Sequence, residues 1–498
     1  MSIQLKQRHK IIYIIILFLL RIFILWFGYD RLPYIPACPD EIVANDPAIS
    51  LSDNNGLVLQ SFTNDVIAGN KFFASYPPLF PIIQAMIFKL FGISPFTFRF
   101  LNISSQIIFL LLFLYVLQKL RSRKVLDDFA FIIASSLILT DPITLYWARA
   151  GRMDMLAILF GIIALTILLS FRKCPEWCWI LASIFIGLAL SVHLSVHFFW
   201  LTVLVIASFN YKQIKWQYLL LIILVPILVF LSIWLIHGTH YIEALILLRK
   251  ISHLQLQGFS INYFNELFSL NNLLVSAQRG GSAAILLFIS WIAVVLRFLS
   301  ISKDKKNKNS EWSHWIYIAL ICSLGYLVIL HFFSPRVVIS RIVVLLPLAL
   351  LWLAIAISHL SINIRRSLAL LFLLIIVIQC VGLGIFFNKL CIEWQVRDPN
   401  RFDSLVKSLP TSKRIATDPQ LWFAFTKSHY PVQVLYDYAH AVSENYTNDW
   451  LSDPNVLSKF DIVILDSSSP LLLNSNIVTR KIHKVFKAQN RSYVVIYK

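Results

Sequence analysis

Glycine and charge are both scarce in this chain. It has 14 Gly in 498 residues, and Asp, Glu, Lys and Arg together make up only 14%. Acids are the rarer sign, 25 against 44 Lys and Arg, and there are only six cysteines. So little charge excludes an extended disordered polymer, and so little glycine excludes a collagen-like repeat. No glycine-rich phosphate loop and no internal repeat is present. A soluble domain carries about 25% charged and 45–50% apolar residues. Here 58% are apolar, with 38 Phe and 14 Trp, and the mean hydropathy is +0.73. The class that remains is a polytopic membrane protein.

A membrane helix needs about 20 mostly apolar residues. Eleven candidate runs are present, at 11–29, 98–118, 128–147, 154–171, 177–193, 196–209, 217–236, 282–299, 314–333, 337–358 and 367–388. The pair 177–193 and 196–209 reads equally as a hairpin or as one broken helix. Lys and Arg then orient the runs. With a cytoplasmic N-terminus, the inner connections hold 17 in 50 residues and the outer ones 10 in 135, which follows the positive-inside rule. The net charge of +19 is therefore largely topological. The run Lys303 to Lys308 reads as a cytoplasmic anchor, so no nucleic-acid partner is expected.

This topology predicts an all-α transmembrane module over 1–388 and a small extracytoplasmic α/β domain over 389–498. The tail returns to a soluble composition, and short β-like runs begin at Arg414, Val432, Asp461 and Tyr493. Two large outer loops are expected, 30–97 and 237–281. The first contains an apolar stretch of about 78–92 that is too short to span and suits an interfacial helix. The six cysteines carry little information, and Cys174 and Cys178 fall on the cytoplasmic side, where a disulfide is not expected.

Ionisable residues at the outer rim attract function, because charge near an apolar run is costly. The candidates are Asp40, Glu41, Arg99, Arg149, Arg152, Asp154, Arg336 and Arg341. Arg149 and Arg152 stand at i and i+3, which would place them on one helical face. Guanidinium forks match phosphate oxygens, so an acid and two arginines at a membrane boundary suit a phosphorylated lipid head. Each also has a plainer reading: Asp154 as a structural partner of Arg149 or Arg152, Arg99 as an interfacial anchor, and His193 and His197 as packing residues.

Taken in order, the residues resemble a family. A first helix leads to Asp40-Glu41, then to Tyr76-Pro77-Pro78-Leu79, to Leu90-Phe91-Gly92-Ile93-Ser94 with Arg99, and to Arg152-Met153-Asp154 opening the fourth run. Ser340-Arg341 through Pro347 looks like a late Arg…Leu-Pro helix. This set is similar to the dolichyl-phosphate-mannose–protein mannosyltransferase and aminoarabinose transferase superfamily of GT-C membrane glycosyltransferases. The resemblance implies a polyprenyl-phosphate sugar donor and a lipid, glycan or protein acceptor at the outer face of the plasma membrane. It also implies a catalytic base at Asp40 or Glu41. Asp154 matches the second acid, which would orient the acceptor, the base or a divalent metal ion. The arginines, Tyr76 and His193 would contact substrate. Two departures stand out: Tyr76-Pro77 replaces a Glu-Lys pair of the aminoarabinose transferases, and His193 and His197 stand where many relatives place a Lys.

The chemistry fits without the resemblance. Glycosyl transfer needs a base for the incoming hydroxyl and positive charge for the departing phosphate, and a single base implies inversion. The competing classes are a transporter or flippase of lipid-linked sugars, and a lipid-diphosphate glycan ligase or polymerase. The outer loop with Arg249, His253 and Arg279 keeps the ligase reading open.

Overall fold

The computed structural model describes residues 2–31, 38–59, 76–171, 174–210, 215–246, 281–303, 311–333, 339–392, 394, 398–409, 414–417, 419–427, 432–434, 460–466, 482–488 and 491–497. Arg336, Arg249, His253 and Arg279 lie outside them, as do the side chains of Asp40 and Arg341.

The first ten helices are α1 (Ser2–Trp26), α2 (Cys38–Ser52), α3 (Leu79–Phe91), α4 (Pro95–Ser122), α5 (Asp128–Thr140), α6 (Pro142–Arg149), α7 (Asp154–Ser170), α8 (Glu176–Val192), α9 (His197–Phe209) and α10 (Trp216–Trp234). Four long ones follow, α11 (Gly281–Lys303), α12 (Glu311–Phe333), α13 (Ile339–Ile357) and α14 (Ile362–Ile392). Each of the eleven apolar runs therefore carries helix. Five of the described helices are long and apolar enough to cross a membrane: His9–Trp26, Pro95–Ser122, Trp216–Ile246, Ile285–Ser302 and Ile362–Ile392. The pair α5 and α6, bent by 41°, makes a sixth if it is one span. The runs at 154–171, 177–193 and 196–209 form shorter apolar helices. The chain is an integral membrane protein.

Local sequence explains the helix starts. Ser94 and Thr97 form a reciprocal capping box before Pro95. Asp127 caps α5 through the Ala130 N–H, at 2.9 Å. Asp141 caps α6 through Thr144, at 2.7 Å, and Pro142 at the first position prevents α5 from continuing. That break is pinned to α1 by Arg21, which donates to Asp141 O (2.5 Å) and Thr144 Oγ1 (2.8 Å). Between α8 and α9 the chain makes one 3-10 turn, Leu194–Val196, entered through an extended His193. Cys174 and Cys178 are free thiols, and burial pushes the Cys174 thiol well up.

Helix α13 is buried on every side from Val343 to Ile357, as an all-apolar helix at the centre of a bundle must be. The neighbours anchor to its backbone: Ser290 Oγ donates to Ala349 O (2.7 Å) and Trp312 Nε1 to Ile355 O (3.0 Å).

Beyond Ile392 the chain forms helices α15 (Asp403–Ser408) and α16 (Pro419–Lys427) and strands β1 (Ile415–Thr417), β2 (Val432–Val434), β3 (Ile462–Asp466), β4 (Ile482–Ala488) and β5 (Arg491–Tyr497). They make one sheet of order β2-β1-β3-β5-β4, with β1 parallel to β2 and β3, and β5 antiparallel to β3 and β4. One hydrophobic cluster joins this segment to α2 and α3. Ile42, Val43, Ala85, Phe88 and Phe98 pack with Leu405, Trp422, Phe423, Ile462 and Ile464.

Candidate active site

The site grows from the end of α1. A helix leaves its last four carbonyls without intrahelical partners, and cations near that end are favourable. Arg149 supplies one: its Nη1 donates to Ile24 O (2.6 Å), Leu25 O (3.4 Å) and Phe27 O, and its Nη2 to Gly28 O (3.1 Å). Arg99 serves the next turn, with Nη1 donating to Tyr29 O (2.7 Å) and to Arg31 O. Gly28 holds a positive φ of 63°, and a Cβ there would meet Trp394 at 2.8 Å. Arg149, one of the two arginines that sequence reading offers to phosphate, and Arg99 thus close the turn after α1.

Arg99 also donates Nε to Glu41 Oε1 at 3.3 Å. Glu41 is fully buried, and the same oxygen accepts the Gly151 N–H at 2.7 Å. A Cβ on Gly151 would come within 2.8 Å of Glu41 Cγ and Oε1, so only glycine admits this approach. One turn along α2, Asn45 Nδ2 donates to Glu41 O and to Gly151 O, both at 2.8 Å. From α4, Asn102 Nδ2 donates to Ala150 O at 3.1 Å. Helices α2 and α4 therefore hold the α6–α7 junction by its backbone.

That junction corrects one expectation. Helix α6 stops at Arg149, with Ala150 extended at φ −78°, ψ 137°, so Arg149 and Arg152 do not share a helical face. Arg149 turns to α1, and Arg152 Nε donates to Asp154 Oδ2 at 2.9 Å. Asp154 opens α7, where a carboxylate complements the helix dipole. Arg152 also lies over the Trp147 ring, 4.1 Å from its centroid. Both members of the pair are buried. Asp154 Oδ1 has no hydrogen-bond partner among the described residues.

The structure brings Tyr76 and His193 together, with stacked rings 5.8 Å apart and 28° between planes. His193 Nδ1 accepts the Ser195 N–H at 3.1 Å, so a neutral ring carries its proton on Nε2. His197 is the reverse, because its Nδ1 faces Leu194 O at 2.7 Å and must donate. Among the described residues, no group of three or more His, Cys, Asp or Glu could hold a metal ion. Asp40 sits on α2 beside Glu41, about 100° further round the helix. Arg341 lies in the first turn of α13.

Sequence reasoning missed Asn45, Asn102, Gln106, Trp147 and Gly151. A signal existed for two of them: Asn102 and Gln106 are amides inside an apolar run, where an unpaired polar group is costly. Helix α2 itself was hidden by its polar composition and by Pro47.

No family model and no curated protein matches the sequence. Solved structures do match. ArnT from Cupriavidus metallidurans, bound to undecaprenyl phosphate and in the apo state, is 12% identical over 97% of both chains with a TM-score of 0.57. The oligosaccharyltransferase from Archaeoglobus fulgidus in the apo form is 11% identical, covering 92% of this chain and 69% of its own, with a TM-score of 0.48. The likeness to ArnT is one of fold: the chain shares that protein's overall architecture.

Proposed function

We propose that this protein is a membrane glycosyltransferase that moves a sugar from a polyprenyl-phosphate donor to an acceptor hydroxyl, with inversion, at the outer face of the plasma membrane. One observation carries the reading. Two buried acid–arginine pairs, Glu41–Arg99 and Arg152–Asp154, meet on the Gly151–Asp154 junction, in a fold shared with a protein seen holding undecaprenyl phosphate. In this reading the N-terminus is cytoplasmic and residues 389–498 form an extracytoplasmic domain over the site.

Asp40 is the base, and Glu41 is a positioning residue, since its carboxylate is clamped by Arg99 and by the Gly151 N–H. Asp40 takes the proton of the acceptor hydroxyl as that oxygen bonds to the anomeric carbon. The bond from that carbon to the phosphate oxygen breaks, and the phosphate leaves with the electron pair. Positive charge beside the departing oxygen lowers the barrier. Arg152, Arg341 and Arg336 supply it, while Arg149 and Arg99 hold the scaffold. Tyr76 and His193 line the approach, and Asp154 orients the acceptor.

The test is purified protein in lipid vesicles with undecaprenyl-phosphate sugars. Glycosylated acceptor and bare undecaprenyl phosphate should appear together, and Asp40→Asn should stop both. Passage of intact donor across the bilayer without cleavage would instead establish a flippase.

A further inference from the structure

The opposite end of the bundle holds a cluster that the mechanism above leaves idle. Lys10, in the first part of α1, donates to Asp128 Oδ2 at 2.7 Å, about 24 Å along the helix axis from the turn that carries the candidate site. Arg297 is the centre of this cluster. It lies on α11, five residues and about 8 Å inside the end of the span Ile285–Ser302. Its guanidinium rests over the buried ring of Trp312, 4.4 Å from the centroid. Among the described residues its one hydrogen bond runs from Nη2 to His359 O, at 3.4 Å, and Nε has no partner.

The aspartates of this end are taken. Asp127 Oδ2 accepts from Arg365 Nη2 (2.9 Å) and from the His359 N–H (2.8 Å), and Asp128 binds Lys10 and Arg121 Nη2 (2.6 Å). Glu311, beside Trp312, is exposed and forms no ion pair with Arg297 among the described residues. The His359 ring faces Lys124 O at 3.0 Å and donates to it from Nε2, which brings the end of α4 alongside. Lys124 and Arg366 are exposed and carry no ion pair among the described residues. A cation inside a span calls for an anion, and the protein supplies none here.

The surroundings specify that anion. Ile292, Leu296 and Leu299 leave an exposed apolar face on α11 next to Arg297, and Ile362 and Ile364 do so on α14. An anion that reaches Arg297 therefore arrives with hydrocarbon below it. A guanidinium fork matches phosphate oxygens, basic clusters at the ends of spans hold lipid heads, and a zwitterionic head would add an ammonium beside Lys124. We propose that Arg297, held on Trp312 and flanked by Lys124 and His359, binds the phosphate of an anionic phospholipid in the leaflet opposite the candidate active site. The inference stands apart from the glycosyltransferase reading, since no residue of that mechanism takes part.

The test uses the full chain in detergent micelles. Dioleoyl phosphatidylglycerol or phosphatidylcholine is titrated in, and bound lipid is counted by native mass spectrometry. Phosphatidylglycerol should fill one saturable site on wild type about ten-fold more tightly than phosphatidylcholine. Arg297→Gln should lose that preference, and Arg297→Lys should recover part of it, because an ammonium keeps the charge without the fork. Lys215, at the start of α10, pairs with Glu176 on a different connection, so Lys215→Gln should bind both lipids as wild type does. Should Arg297→Gln fail to fold, Lys124→Gln on the exposed side decides in its place, with an expected loss of about five-fold in phosphatidylglycerol affinity. Equal affinity of wild type for the two lipids overturns the site, as does a wild-type preference in Arg297→Gln or, in its stead, in Lys124→Gln. An equal loss in Lys215→Gln overturns it in favour of diffuse charge attraction. Sodium phosphate at the lipid's concentration should not displace phosphatidylglycerol; displacement would make free phosphate the ligand and overturn the lipid.

Discussion

Glu41 Oε1 lies 2.7 Å from the backbone nitrogen of Gly151, a contact between positions 110 residues apart in the chain. It joins the helix carrying the proposed base to the junction that opens α7 with Asp154. Enlarging either residue should separate the two acids.

Gly151→Ala tests this directly. The added methyl would sit 2.8 Å from Glu41 Cγ, and overpacking of this kind costs about 1–3 kcal/mol. We expect a lower Tm in detergent and sugar transfer reduced at least about ten-fold. Wild-type turnover in this variant would show that the close approach is dispensable.

The neighbouring acids should separate by phenotype. Glu41→Gln leaves the buried Arg99 without its anion, a loss of about 3–5 kcal/mol that thermal unfolding should register. Removing Arg99 as well should recover part of it, measured as a coupling energy in a double-mutant cycle. Asp40→Asn should keep the wild-type Tm and lose transfer.

Arg149→Met strips the end of α1 of its guanidinium contacts to Ile24, Leu25, Phe27 and Gly28. Each orphaned buried carbonyl costs about 1–3 kcal/mol, so a large drop in Tm is expected. Arg149→Lys should restore only part, because one ammonium cannot span carbonyls that a planar fork reaches together. If Arg149→Met instead leaves Tm unchanged and raises only the donor KM, Arg149 binds phosphate rather than closing the turn.

Phe98 on α4 packs against Phe423 (5.2 Å between ring centroids) and Trp422 (5.7 Å). Phe98→Ala should cost about 3–5 kcal/mol of local packing and loosen the C-terminal segment from α2 and α3. Limited proteolysis should then cut the chain near residues 394–414 faster than in wild type. An unchanged digestion rate would mean that this aromatic contact does not hold the segment.

What the sequence disclosed follows from the range of each interaction. Apolar runs are local, so all eleven carry helix, but length is not: several of those helices are too short to pass as spans on their own. The break at Asp141-Pro142 was written in a helix cap and a proline, yet the run 128–147 read as one piece. Asp40, Glu41 and Asp154 stood out as acids beside apolar sequence. The carbonyl partners of Arg99 and Arg149 did not, because they lie some 70 to 125 residues away and a carbonyl has no letter in a sequence. Asn45 and Gly151 were silent for the same reason, since each acquires meaning through a contact with a distant stretch of chain.

The shared cluster of α2 with residues 402–464 bears on the order in which the protein is completed. Ile42, Val43 and Ala48 are made early in synthesis, but Leu405, Val406, Trp422, Ile462 and Ile464, which cover them, are made near its end. Until the ribosome has delivered that segment, the helix bearing Asp40 and Glu41 lacks one wall of its core. Catalytic competence would therefore arrive with the last fifth of the polypeptide, and a chain released early would be left with an unfinished site.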